Sequence, residues 1–294
     1  MFEAFKHHFV KTQGTTIHAV VGGSGPPLLL LHGYPQTHIM WHRVAPTLAR
    51  YFTVVCTDLR GYGDSGKPDT APDHSTYSKR KTAQDQVEVM TALGFDQFMA
   101  AGHDRGGRVL HRLLLDHPQR VSKAAVLDIV PTRTILKTLN QALATAYEHW
   151  FFLAQPAPFP ETLIGHDPDY YLKAKLSRWS ADSSAFSAAA IAEYCRCFRN
   201  PAVIHATCED YRAAVTIDLD HDEADIDQLI QCPLLVLWGA NGVMERNYNV
   251  LQTWRDRARN VQGHSLPCGH FLPEEQPEAT TEALLKFFKD QTLY

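Results

Sequence analysis

Short runs of apolar and β-branched residues alternate along most of the chain with longer stretches of helical spacing. One run, at 27–31, is almost continuous in leucine, as expected for a strand that is buried on both faces. Regular alternation of strands and helices is typical of a mostly parallel, doubly wound α/β sheet. The predicted strands lie at 15–21, 27–31, 52–56, 98–101, 122–127, 234–238 and 261–266, and the predicted helices at 41–50, 79–93 and 275–290.

This alternation stops between Pro131 and about residue 224. The segment is rich in alanine and aromatic residues, is interrupted by a proline-rich stretch at 155–160, and has helical rather than strand-like spacing of its apolar residues. We therefore predict that residues 1–130 and 225–294 form one core, and that residues 131–224 form a helical cap inserted into it.

The most informative motif is Gly102-His-Asp104-Arg-Gly106, which joins an apolar strand to a helical segment. This is the context of a nucleophile elbow, G-x-Nuc-x-G, with aspartate in place of the serine of esterases. The flanking glycines fit a turn that is too tight for Cβ atoms. Asp104 is therefore the candidate nucleophile, since an aspartate there can attack carbon and form an ester. No G-x-S-x-G motif occurs, which argues against a serine hydrolase.

An ester on Asp104 must be hydrolysed, which requires a base. His270 follows the last predicted strand, where this chain order places the histidine of a triad, although a plain turn residue is the alternative. Asp128 ends the strand at 122–127 and should point into the crevice, where it could orient His270. Glu245 is the second candidate for that acid, and a helix cap or loop position is the alternative for Asp128.

The motif His32-Gly33-Tyr34-Pro35 follows the strand at 27–31. In the same context, backbone N–H groups form the oxyanion hole of this type of site. The candidates are the N–H groups of Tyr34 and of Arg105. The motif alone could be only a turn, but its combination with the elbow and the downstream histidine favours the oxyanion hole.

Two arginines, Arg105 and Arg108, lie within one helical turn of the candidate nucleophile. A buried guanidinium is costly unless an anion pairs with it, and arginine binds carboxylates through two parallel hydrogen bonds. We therefore expect an anionic substrate that both arginines hold. A structural ion pair with Asp128 or Glu209 is the alternative for either arginine.

Composition adds several exclusions. The 294 residues contain 28 Lys and Arg against 32 Asp and Glu, a net charge of −4 without a basic run, so binding of nucleic acid or anionic membranes is not expected. The sequence shows neither a signal-peptide pattern nor an apolar stretch that could span a bilayer, and its six cysteines lack C-x-x-C spacing, which favours a cytoplasmic protein with free thiols. We expect no metal or cofactor, because metal-binding spacings are missing and the glycine motif at 61–66 runs into Lys67-Pro68 instead of a helix.

Several motifs together resemble the haloacetate (fluoroacetate) dehalogenases of the α/β-hydrolase superfamily, over essentially the whole chain. Haloalkane dehalogenases and epoxide hydrolases typically have tryptophan directly after the nucleophile, where this chain has Arg105. Tyr34 departs from the family pattern, in which phenylalanine is commoner. The motifs that carry the resemblance are Asp104-Arg-Gly-Gly-Arg108, Leu127-Asp128-Ile, His149-Trp150, Cys208-Glu-Asp-Tyr211-Arg and Gly269-His270-Phe.

The resemblance implies an α/β-hydrolase fold and hydrolysis of haloacetate, including fluoroacetate, to glycolate and halide. It assigns Arg105 and Arg108 to the substrate carboxylate, and His149, Trp150 and Tyr211 to the departing halide. A homodimer is expected only because two-fold homodimers are common. The alternatives are a dehalogenase of other small 2-haloacids, a catalytically silent receptor, and an epoxide hydrolase using phenols from among Tyr147, Tyr170, Tyr171 and Tyr211.

Overall fold

Eight strands form one sheet in the computed structural model, which describes residues 1–290. The strands are β1 (Lys6–Lys11), β2 (Thr16–Gly22), β3 (Pro27–Leu31), β4 (Thr53–Thr57), β5 (Phe98–His103), β6 (Val121–Leu127), β7 (Leu234–Gly239) and β8 (Val261–Leu266). Their spatial order is β1-β2-β4-β3-β5-β6-β7-β8. Strands β3 to β8 are parallel, and β1 and β2 are antiparallel at one edge.

The predicted fold class, a mostly parallel α/β sheet, is confirmed, and all seven predicted strands are present with small shifts at their ends. The sequence pattern missed β1. This strand lies at the sheet edge and is largely exposed, with Phe9 63% exposed, so burial does not impose the apolar pattern that marks the inner strands. In contrast, every side chain from Leu28 to Leu31 on β3 is fully buried.

Helices pack on the sheet and fill the interval between β6 and β7. They are α1 (Ala45–Leu48), α2 (Lys79–Ala92), α3 (Arg105–Asp116), α4 (Thr132–Lys137), α5 (Gln141–Ala146), α6 (Glu148–Leu153), α7 (Phe159–His166), α8 (Pro168–Trp179), α9 (Ala188–Phe198), α10 (Pro201–Ala214), α11 (Ile217–Ala224), α12 (Val243–Asn247), α13 (Val250–Arg255), α14 (Leu272–Glu275) and α15 (Pro277–Lys289), with short 3-10 segments at His38–Trp41, Ser75–Tyr77 and Ser183–Ala185. Among the described residues, no helix combines the length and apolar character needed to cross a bilayer.

Two predicted helices differ from the structure. The segment 41–50 contains only the single turn α1, preceded by a 3-10 turn; Pro46 lacks a backbone donor and is tolerated only in the first turn of a helix. The helix predicted at 275–290 is divided into α14 and α15, because Pro277 begins a new helix.

The segment predicted to be a cap contains α4 to α11 and no β-strand in its described residues. Its helices α6 and α10 supply side chains that pack against the N-terminal turn of α3, directly after β5. The division of the chain into a core and a separate cap domain stays a prediction.

Candidate active site

The turn between β5 and α3 holds Asp104 in an unusual backbone conformation, with φ 47° and ψ −116°. Such a positive φ is rare for a residue with a side chain and is characteristic of functional turns. The neighbouring glycines leave no space for a side chain. A Cβ at Gly102 would lie 2.5 Å from the Gly106 carbonyl oxygen, and one at Gly106 would lie 2.4 Å from the His32 carbonyl oxygen. The tight turn inferred from the motif is therefore present.

His270 lies between two carboxylates. Its Nδ1 is 2.6 Å from Asp128 Oδ2, and its Nε2 is 3.7 Å from Asp104 Oδ2. Asp128 Oδ1 also accepts a hydrogen bond from the Gly239 N–H at 2.9 Å, which fixes the carboxylate at the end of β6. Glu245, the alternative acid, instead accepts a hydrogen bond from the Trp238 indole. The structure thus brings together Asp104, His270 and Asp128 in the arrangement of a triad.

The charges around this triad favour an ionised nucleophile. Burial alone would raise the pKa of Asp104, but the charges of His270, His103 and Arg108, with a smaller contribution from Arg105, lower the pKa to about 2. Burial likewise works against protonation of His270. However, the hydrogen bond and charge of Asp128 outweigh burial and raise the pKa of His270 above its usual 6.5. Asp104 is therefore a carboxylate at neutral pH, which is the form that the predicted nucleophilic role requires.

The loop after β3 contributes a backbone donor to the Asp104 carboxylate. The Tyr34 N–H donates to Asp104 Oδ1 at 2.9 Å, so one of the two candidate oxyanion-hole donors contacts this carboxylate, and its role in an oxyanion hole stays a prediction. A Cβ at Gly33 would come within 2.5 Å of the Asp104 Cβ, which explains why glycine precedes Tyr34. The N–H of Arg105 makes no hydrogen bond to this carboxylate within residues 1–290, so its role as second donor stays a prediction.

The side chain of Arg105 pairs with an acid that the sequence did not identify. Its Nε donates to Asp210 Oδ2 at 2.8 Å, and its Nη2 donates to Asp210 Oδ1 at 3.0 Å. Asp210 also accepts from Lys79 and from the Tyr62 hydroxyl. The predicted alternative partners, Asp128 and Glu209, are wrong. Only Nη1 of Arg105 is buried without a protein partner.

The guanidinium of Arg108 has fewer hydrogen-bond partners in the protein than that of Arg105. Its Nη1 donates to the Val130 carbonyl at 3.0 Å and to the Thr132 hydroxyl at 3.1 Å, whereas Nε and Nη2 are buried without a partner. Its guanidinium carbon lies 4.6 Å from the centre of the Trp150 ring. Burial, together with the charge of Arg105, lowers the pKa of Arg108. Within residues 1–290, no carboxylate forms an ion pair or hydrogen bond with its guanidinium. Of the two arginines, Arg108 has the free donor pair that a carboxylate ligand requires.

Three further donors come from the cap segment: His149 and Trp150 on α6, and Tyr211 on α10. The His149 and Tyr211 ring centres are 5.6 Å apart, and those of Trp150 and Tyr211 are 5.9 Å apart. The atoms His149 Nδ1, Trp150 Nε1 and Tyr211 Oη are buried without a hydrogen-bond partner. Burial, helped by the Lys175 charge, holds the pKa of His149 well below 6.5, so its imidazole is neutral. Unpaired buried polar groups are rare in folded proteins, and each calls for an explanation such as a functional role or a bound ligand.

A cavity of about 210 Å³ is lined by all three triad residues. Its volume is below the range that is usual for pockets of drug-sized ligands. An open depression of about 470 Å³ adjoins it and shares Arg178, Trp179 and Arg246 with its lining. A larger surface groove of about 580 Å³ borders α1 and α15, but none of the triad residues lines it. The lining of the smaller cavity includes Asp104, Asp128, Tyr147, His149, Arg178, Trp179, Asn241, Arg246 and His270.

One other cluster has the composition of a metal site. His18, His38 and Asp58 are buried, with ligand atoms within 4.8 Å of one another. However, both Asp58 oxygens already accept hydrogen bonds, at 2.8 Å from His18 Nδ1 and 2.9 Å from His38 Nδ1. The charge of Asp58, together with its hydrogen bond, raises the pKa of His38 despite burial. The cluster is therefore internally satisfied through hydrogen bonds.

The sheet and the elbow define an α/β hydrolase, and a family model described as the alpha/beta hydrolase fold matches residues 26–277. The chain belongs to the α/β-hydrolase family, and it is an enzyme of that family similar to haloacetate dehalogenases. It is 48% identical to a fluoroacetate dehalogenase from Burkholderia sp, over 99% of this chain and 96% of that protein, which confirms the resemblance seen in the sequence.

Two further proteins are similar over nearly their whole lengths. A soluble epoxide hydrolase from Corynebacterium sp. (strain C12) is 34% identical, with 96% of each chain covered. The crystal structure of an α/β hydrolase from Nostoc sp PCC 7120 is 62% identical and superimposes with a TM-score of 0.98, covering 98% of this chain and 99% of that one. The two relatives that are named for an activity differ in substrate, because one is named a fluoroacetate dehalogenase and the other an epoxide hydrolase.

Proposed function

We propose that this enzyme hydrolyses haloacetates, including fluoroacetate, to glycolate and halide through an ester on Asp104. The observation that carries the proposal is the group of buried, unpaired donors beside a carboxylate nucleophile. Such donors are satisfied by anions: a substrate carboxylate at Arg108 and a halide at the cap donors. The relative named fluoroacetate dehalogenase supports the same substrate class.

In the first step, Asp104 Oδ2 attacks the CH2 carbon of the haloacetate and the carbon–halogen bond breaks. The electron pair leaves with the halide, which accepts hydrogen bonds from Trp150 Nε1, Tyr211 Oη and the His149 imidazole. Fluoride concentrates its charge, so several fixed donors in a dry site lower the barrier. Comparable oxyanion donors contribute about 3–4 kcal/mol each. Arg108 holds the carboxylate, and Nη1 of Arg105 adds one donor.

In the second step, a water molecule attacks Cγ of the Asp104 ester. His270 Nε2 removes its proton, and Asp128 stabilises the resulting imidazolium through Nδ1. The Tyr34 N–H holds Oδ1 as its negative charge develops. When the ester C–O bond breaks, the glycolate oxygen receives the proton from His270, and the second proton of the attacking water leaves to solvent, which restores the carboxylate of Asp104. These steps use only groups of this chain and water.

Epoxide hydrolysis is the second candidate, because a 34% identical relative bears that name and the Tyr147 phenol lies in the cavity lining. An epoxide needs an acidic phenol to protonate the developing alkoxide. Among the other candidate phenols, Tyr170 is 72% exposed, so it does not fit the role of an acid in a buried site. An uncharged epoxide also leaves the Arg108 donors unpaired, which favours the anionic substrate.

The test is release of fluoride from fluoroacetate and chloride from chloroacetate by the purified enzyme without added cofactor. A small epoxide is assayed in parallel for diol formation. We expect halide release, with equimolar glycolate, and little diol. Turnover confined to the epoxide would overturn the proposed substrate class. A homodimer and a cytoplasmic location stay predictions.

A further inference from the structure

The carboxylate of Glu275, at the end of α14, accepts hydrogen bonds from four backbone N–H groups. Two belong to the residues on either side of His270: Gly269 N–H donates to Oε2 at 2.9 Å, and Phe271 N–H donates to Oε1 at 3.0 Å. The other two belong to Ala181 at 2.8 Å and Asp182 at 3.3 Å, both to Oε2. A single side chain therefore joins the histidine turn to the segment after α8.

Other contacts join the same two segments, the histidine turn at 269–271 and the cap segment at 179–182; together these contacts form a seam. The His270 N–H donates to the Trp179 carbonyl at 2.9 Å. A Cβ at Gly269 would lie 2.4 Å from the Ala181 nitrogen, so the two backbones are in direct contact there. Trp179 lines the cavity and packs against both His149 and His270, with ring centres 4.4 and 5.9 Å away. Displacement of this seam would move the base and a cavity wall together.

Asp128 alone does not fix the base. It orients the imidazole through one hydrogen bond to Nδ1, but the backbone of His270 lies in a turn outside any helix or strand. Hydrogen bonds to a charged acceptor are roughly twice as strong as neutral ones. We propose that Glu275 is a positioning residue that sets the height of His270 Nε2 above the Asp104 ester and so controls the hydrolytic half of the reaction. This inference rests on the proposed ester mechanism.

A positioning role for Glu275 predicts that only ester hydrolysis becomes slower, whereas a merely structural role predicts no such selectivity between the two half-reactions. His270 takes no part in the attack of Asp104 on carbon, so a displaced imidazole slows only the release of the ester. A misplacement of about 1 Å can cost on the order of a hundredfold in rate. Glu275 itself is not among the residues that line the cavity, so its replacement removes no group that contacts the substrate.

The test compares Glu275→Gln with the wild type and with Glu282→Gln, an exposed glutamate on α15, using chloroacetate in rapid-quench experiments. For Glu275→Gln we expect about one equivalent of chloride to be released rapidly, followed by a steady rate roughly ten- to hundredfold below wild type. Intact mass should show the ester accumulating on the protein. Glu282→Gln should match wild type. An unchanged rate, or a lower rate without accumulated ester, would overturn the proposal.

Two additions keep the outcome decisive. If Glu275→Gln does not fold, Glu275→Asp keeps the charge but withdraws it by one methylene, and it should show the same ester accumulation to a smaller degree. The low-field NMR signal of the His270 Nδ1 proton provides a measurement without substrate, and it should shift or broaden in Glu275→Gln. If wild type releases no halide, the proposed function fails, while an unchanged NMR signal separately refutes the positioning role.

Discussion

Replacement of Arg108 should abolish recognition of the substrate carboxylate while leaving the chemistry of Asp104 in place. Nε and Nη2 are the two buried donors of Arg108 without a protein partner. A hydrogen bond to a charged group contributes about 1.5–3 kcal/mol, so the pair contributes about 3–6 kcal/mol. Since 1.36 kcal/mol corresponds to a factor of ten, Arg108→Leu should lower kcat/KM for chloroacetate by about 10²- to 10⁴-fold.

The assay is steady-state halide release, with thermal unfolding as the check on folding. Arg108→Lys keeps a positive charge without the planar pair of donors, so it should lie between wild type and Arg108→Leu. Chloroacetamide serves as a matched neutral substrate: its slower turnover should respond much less to either substitution. A kcat/KM for chloroacetate within threefold of wild type in a folded Arg108→Leu variant would refute the assignment of Arg108 to the carboxylate.

Three further predictions follow from charges in and around the site. Because His270 acts as a base only when neutral, and only in hydrolysis of the ester, the rate of that step, and kcat where it limits turnover, should rise with pH through a pKa above 6.5. Asp128→Asn should move that limb to lower pH as well as reduce the rate; an unmoved limb would contradict the pairing. Burial raises the pKa of Glu274 to about 7, above its unfolded value, so the stability contributed by the protonated form is lost between about pH 4.5 and 7. The melting temperature of Glu274→Gln should therefore increase relative to that of wild type as the pH is raised across that range. A difference in melting temperature that does not change with pH would contradict this prediction. Arg178→Gln combined with Arg246→Gln should raise KM for chloroacetate at low salt and flatten its salt dependence, with chloroacetamide unaffected, since both arginines lie where the cavity meets the surface.

Features governed by neighbouring residues were predictable from the sequence. The elbow at Asp104 requires glycine on both sides because the turn admits no Cβ there, and this demand is visible in five consecutive letters. The inner strands are recognisable because both of their faces are buried, as for β3. The acid of the triad could also be predicted from the sequence, because Asp128 directly follows β6, whose carboxyl end faces the crevice.

Features that depend on distant contacts were not predictable. Arg105 is paired with Asp210, a residue 105 positions further along the chain, and only docking of α10 against α3 brings the two together. The family resemblance assigns Arg105 to the substrate carboxylate; in the structure the ion pair leaves Nη1 as its one unpaired donor, and that role stays a prediction. Glu275 was equally invisible, because its four partners are backbone groups, which carry no side-chain signature.

The central claim is that Asp104 forms a covalent ester which water then cleaves at Cγ. The most direct test is a single turnover of chloroacetate in water enriched in oxygen-18, with enzyme in excess, followed by mass spectrometry of glycolate and of the peptide containing Asp104. We expect the heavy oxygen to enter the Asp104 carboxylate and the first glycolate released to carry none. Heavy oxygen in that glycolate, with an unlabelled peptide, would show that water attacks the substrate directly and that no ester forms on Asp104.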